Sequence, residues 1–75
     1  MFTLRDFLET GTMVQGDIVV KAYDDLMNFM ESVEVKETDG LHWSNVKPEM
    51  LEMQLEYIYY DYDIEMLVIE ISKID

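Results

Sequence analysis

The 75-residue sequence has no cysteine, one proline, three glycines, one histidine and only 5 lysines and arginines. Without cysteine, neither a disulfide framework nor a thiolate metal site can hold a small fold together, so an apolar core must do so alone. No apolar run approaches the roughly 18 residues of a membrane-spanning helix. The opening Met1-Phe2-Thr3-Leu4-Arg5-Asp6 places an acid where a secretion signal keeps basic charge, and a cytoplasmic protein is expected. Catalytic signatures are also missing. There is no glycine-rich phosphate loop, and none of the serines lies in a nucleophile-elbow context. Nucleophilic catalysis needs an activated side chain beside a base, and with the single His42 next to Trp43 that pairing has little to draw on. A non-enzymatic protein without cofactor is expected.

What the chain does have is acid. Asp and Glu number 17, for a formal net charge of −12, alongside a hydrophobic share of 49%. That share supports one compact domain over residues 1–75 and argues against intrinsic disorder. A domain of this size buries only about 60% of the surface its unfolded chain exposes, so its stability is expected to be marginal. Direct binding to nucleic acid or an anionic membrane is disfavoured, because such affinity rests on Lys and Arg displacing counterions from phosphate. A basic protein surface is the natural complement, including that of a nucleic-acid-binding protein. The acidity also has a second reading, as a means of keeping a small protein soluble.

Local patterns give an order of elements. Thr3 and Asp6 have capping-box spacing, with Leu4, Phe7 and Leu8 behind them at helical spacing, so a helix is predicted over about Leu4 to Glu9. Ile18 to Tyr23 is β-branched and strand-forming, and Asp24-Asp25 begins a turn. Glu31 to Glu37 alternates apolar and polar residues as a half-solvated antiparallel strand does. Thr38-Asp39-Gly40 reads as a hairpin turn leading to a short strand at Leu41-His42-Trp43. Pro48 and Glu49 suit the first turn of a second helix, which is expected to end near Gln54, with a strand over Glu56 to Tyr62. Met66 to Ser72 is the most hydrophobic strand, apolar on both faces and so expected centrally. The fold class expected is α+β, a small antiparallel sheet of four to five strands with two short helices, in the order α-β-β-(β)-α-β-β.

Three groups of residues suggest a surface. Asp61, Asp63 and Glu65 alternate like the start of a calcium loop, but its sixth and twelfth positions would be Met66 and Ser72, where Gly and a bidentate acid are required. A solvated turn is the better reading, and no metal is expected. Glu49, Glu52 and Glu56 would line one face of the second helix if it ran that far, as carboxylates standing in for phosphates or simply as a solvated face. Tyr57, Tyr59, Tyr60 and Tyr62 cannot all face one core, because neighbours in a strand alternate, so a pair such as Tyr60 and Tyr62 could anchor a partner's Arg or merely cover the sheet.

Thr3-Leu4-Arg5-Asp6-Phe7-Leu8, the strand Ile18 to Tyr23 ending in Asp24-Asp25, Pro48-Glu49-Met50-Leu51 and Leu67-Val68-Ile69-Glu70-Ile71 together resemble small acidic proteins of phages and mobile elements in Gram-positive gut bacteria. The resemblance implies an inhibitor of a host defence nuclease, of the anti-CRISPR or anti-restriction type, in some cases by DNA mimicry, and it carries no catalytic residue. The expected contacts are Glu49, Glu52, Asp61, Asp63 and Glu65, with Tyr60 and Tyr62 as anchors. The competing expectation is a small accessory subunit that self-associates through sheet edges or exposed aromatics.

Overall fold

Ile18–Tyr23 (β1) and Met66–Ser72 (β4) carry apolar residues on both faces, and in the structure they lie side by side at the centre of a four-stranded sheet. The structure is a computed structural model, and it describes residues 1–11, 14–36 and 43–73. Leu4–Glu9 forms α1, Phe29–Val35 forms β2, Pro48–Leu51 forms α2 and Gln54–Asp61 forms β3, with a 3-10 turn at Trp43–Asn45. The strand order is β2-β1-β4-β3. The class is α+β, as the sequence predicts, but the sheet is mixed rather than antiparallel. β1 runs antiparallel to β2 and β4 antiparallel to β3, whereas β1 and β4 pair in parallel from Ile18↔Leu67 to Tyr23↔Ser72.

The parallel pair follows from the route of the chain. β2 ends at Val35, beside the start of β1, while β3 begins at Gln54, beside Ser72 at the end of β4. The connection from 36 to 53 therefore travels the length of the sheet before β3 starts, so β2 and β3 point the same way and their inner partners must do so too. Its described part, from Trp43 on, lies over one face, where Val46, Met50 and Met53 are buried. With Leu4 of α1 they close a core over Ile18, Val20, Ala22, Val35, Ile69 and Ile71, all on that face of the sheet.

Each helix has a local cause. The Thr3 hydroxyl accepts from the Asp6 N–H at 3.1 Å while the Asp6 carboxylate accepts from the Thr3 N–H at 2.9 Å, completing the capping box. The Thr3 N–H holds the Asp6 carboxyl below the usual carboxylate range. The helix stops at Thr10, before Gly11 at φ 73°. α2 begins on Pro48 and ends at Leu51, short of the predicted Gln54. Gln54 and Leu55 are instead drawn into the sheet between Ser72, Ile71 and the N-terminal segment, since Leu55 N–H donates to the Phe2 carbonyl and Thr3 bridges Gln54. Pairing on both sides overrides helical propensity.

Two further expectations shift. β2 starts at Phe29 rather than Glu31, because the Asp24 carboxylate accepts from the N–H groups of Leu26 and Asn28, both at 2.8 Å, and closes the turn early. Those bonds, that from Asn28 first, hold the Asp24 carboxyl low. Met27 supplies the left-handed residue at φ 63°. Of the segment predicted to form a fifth strand, Trp43 instead opens the 3-10 turn, while Leu41, His42 and the predicted turn Thr38-Asp39-Gly40 lie outside the described residues.

Ile69 sits at the middle of this arrangement, fully buried between Val20 and Ile58. Ile69→Ala is expected to lower stability by about 2 to 4 kcal/mol, because the flanking strands cannot close the cavity. Urea denaturation reads this directly, and a midpoint matching the wild type would contradict the central placement.

Candidate interaction surface

The β3–β4 hairpin carries five of the seven residues singled out from the sequence. β3 ends at Asp61, whose carboxylate accepts from the Asp63 N–H at 2.9 Å, and the turn closes through Glu65 at φ 55°. The rings of Tyr60 and Tyr62 meet edge to face with centroids 4.9 Å apart, in the favourable geometry for aromatic pairs. Asp61, Asp63, Glu65, Tyr60 and Tyr62 thus share one projecting tip, with Tyr62 84% exposed.

Glu49 and Glu52 do not join them. They lie on and just after α2, at the opposite end of β3, and seven strand steps at about 3.3 Å each set the two groups about 23 Å apart. Glu52 is ion-paired to Arg5 of α1. Glu49 borders a small open pocket of about 160 Å³ with Glu31, Lys73, Ala22, Met30, Met50 and Met53. Glu56 leaves the acidic row for the sheet, where it accepts from the Ser72 hydroxyl at 2.6 Å. A continuous line of helical carboxylates is therefore not formed.

The distribution of base matters as much as that of acid. From Pro48 to Ser72 the chain has no Lys, Arg or His, while it carries Glu49, Glu52, Glu56, Asp61, Asp63, Glu65 and Glu70. The ion pairs Lys47–Glu31 and Lys36–Glu34 fall on the β2 side of the molecule. Such exposed pairs contribute little to stability; a further pair, Arg5–Glu52, sits beside the start of β3, so it is the far half of β3 and its turn, from Tyr57 to Glu65, whose own residues carry charge of one sign only.

The tyrosines point outward, as the alternation of a strand requires of at least one pair, and no pair of them enters the core. None of the four is buried: Tyr57 and Tyr59 stand on the face away from the helices, beside Glu70 and Val68, while Tyr60 stands on the helix face beside Leu67 and Tyr62 lies in the turn. Sequence reasoning also missed a polar cluster on the open face. The Tyr59 hydroxyl donates to Glu70 at 2.6 Å, and Tyr23 approaches the same carboxylate while its ring meets Phe29 edge to face at 5.8 Å. Only the register, with Tyr59↔Val68 and Tyr57↔Glu70, brings these together, so no local spacing could reveal it.

Among the described residues, no group of three or more His, Cys, Asp or Glu side chains is placed to hold a metal ion. No helix among them is long and apolar enough to cross a membrane. No family model, curated protein or solved structure matches the chain.

The Glu70 bond pushes the Tyr59 phenol up to about 12, with burial adding to it, while burial and then the Glu70 charge raise Tyr23. A raised phenol favours the neutral form in the fold, so the stabilisation is full below about pH 10 and is lost as pH rises through the folded value. In ultraviolet titration the phenol missing from Tyr59→Phe is expected to have its midpoint near 12, and Glu70→Gln to move that midpoint down. A wild-type midpoint near 10 would show that the bond is not made.

Proposed function

We propose that this chain is a non-catalytic binding protein that presents the acidic, tyrosine-bearing side of the β3–β4 hairpin to a basic surface of another protein, in the position a nucleic acid would take. The carrying observation is the absence of Lys, Arg and His from 48 to 72, a stretch whose fold gathers Asp61, Asp63 and Glu65 with Tyr60 and Tyr62 on one tip. Arg and Lys on a partner would meet carboxylates at the tip and aromatic faces beside them, which suits both ion pairing and cation–π contact. Inhibition of a cytoplasmic host nuclease, as the sequence resemblance implies, is the biological form this reading takes. Glu49 and Glu52, at the other end of β3, would contribute to the long-range field.

A second reading, a self-associating accessory subunit, draws on the open outer edge of β3 and its exposed tyrosines. The acids of Glu56 to Glu65, with no Lys, Arg or His among them, oppose it, since like charges set opposite each other across strands destabilise the pairing. Light scattering on the purified protein separates the two, as a stable homo-oligomer would favour the second.

With the protein's captured partner in hand, the wild type is expected to compete with labelled nucleic acid, and its association to slow as the Debye length shrinks from about 10 Å at 0.1 M salt to about 3 Å at 1 M. Reversal of Asp61, Asp63 and Glu65 to Lys is expected to weaken binding far more than folding, because exposed turn charges contribute little to stability. Simultaneous binding of nucleic acid and protein, with equal affinity for both variants, would overturn the mimicry.

A further inference from the structure

An edge strand exposes a row of unpaired N–H and C=O groups, and natural sheets blunt such edges with Lys, Pro, bulges or a covering segment. β2, at one edge, has several of these devices: a bulge opposite Ala22 and Tyr23, and the Lys36 and Lys47 ion pairs. β3, at the other, has neither Lys nor Pro in Gln54–Asp61. Its one irregularity lies between Leu55 and Tyr57, and beyond it Tyr57 to Asp61 pair regularly with β4.

The start of this edge already accepts a strand. The Leu55 N–H donates to the Phe2 carbonyl at 2.8 Å, the Leu4 N–H donates to the Met53 carbonyl at 3.1 Å, and Thr3 bridges Gln54 in antiparallel sense. The chain then turns away into α1. Past Leu55, no backbone group among the described residues meets the outer side of β3. Tyr57 and Tyr59 flank that stretch on the open face and Ile58 and Tyr60 on the helix face, all of them exposed.

We propose that the outer edge of β3 from Glu56 to Asp61 receives an extended segment of the partner bearing Lys or Arg, as an additional hydrogen-bonded strand. This rests on the proposed function and gives it a binding mode: main-chain pairing supplies affinity, and side chains alternating between the two aromatic-lined faces supply specificity. The occupant is set by charge. Glu56 and Asp61 bound the stretch, Asp63 and Glu65 follow it, and no cation stands between Pro48 and Ser72. A second copy of this chain would bring the same carboxylates and a further net charge of −12 to the interface, whereas a basic strand would find an opposite charge at each end.

The test uses the unaltered protein and two peptides of about ten residues in which Arg alternates with Val, long enough to span the open edge. One has a free backbone and the other is N-methylated at every second residue on its ladder-forming side, which removes the donors and keeps the charge. The first is expected to bind and to slow hydrogen exchange at β3 amides between Tyr57 and Asp61, and the second to bind about tenfold more weakly or worse. Equal affinity without protection at β3 would overturn strand addition while leaving the acidic-surface reading intact. Binding of neither peptide at low salt would overturn both. A homodimer whose β3 amides are protected without peptide would assign the edge to a second copy and overturn the proposal.

Discussion

The parallel pairing of β1 with β4 is the constraint on which the rest of this fold depends. Both strands are apolar on both faces, with Ile18, Val20, Ala22, Ile69 and Ile71 toward the helices and Val19 and Val68 away from them. Such strands are stable only inside a sheet with cover, so the two hairpins must join through them. Joining them in parallel forces the connection from β2 to cross the sheet from end to end, and that crossing carries α2, Val46 and Met53 over the core. Partners at positions 18 and 67 are far apart in sequence, and loop closure on that scale has to be offset by burial gained late in folding.

Cover on one side leaves the opposite face to manage itself. Val19 and Val68 remain buried there although no helix among the described residues lies over them, because the register sets them in a row between Glu34 and Tyr59, with Lys21 and Glu70 in the next. Tyr59, tied to Glu70, reaches across this face and keeps it from being an open apolar patch. The large apolar side chains that stay exposed gather at the two hairpins, Leu26, Met27, Phe29 and Met30 at β1–β2 and Tyr57 to Tyr60, Tyr62 and Ile64 at β3–β4, with Met1 and Phe2 at the N-terminus.

Elements defined by their own residues were legible in the sequence. The capping box fixed α1, β-branched runs fixed β1 and β4, and their bounds agree with the structure. What depended on distant partners was not legible. α2 gave up its last turn because Phe2 and Ser72 claim Gln54 and Leu55, and β2 began early because of a turn built around the Asp24 carboxylate. Strand direction between β1 and β4 has no local signal at all. For the surface the same division holds: Asp61, Asp63, Glu65, Tyr60 and Tyr62 were adjacent in sequence and stay together, whereas joining Glu49 and Glu52 to them required a geometry that β3 precludes.

The acidity has two readings, solubility and recognition, and at the edge of β3 the two need not compete. An edge this rich in strand-forming aromatics is an aggregation hazard unless something opposes pairing with its own kind. Positive charge from Lys is the common remedy, and here negative charge takes its place: copies repel at long range through their net charge and at close range through Glu56 and Asp61. Repulsion by sign is selective in a way that a proline or a covering loop is not. A blocked edge rejects every strand, but a charged edge rejects only strands of its own sign, so under the proposed strand addition the same charge that opposes a second copy would leave the ladder open to a basic segment.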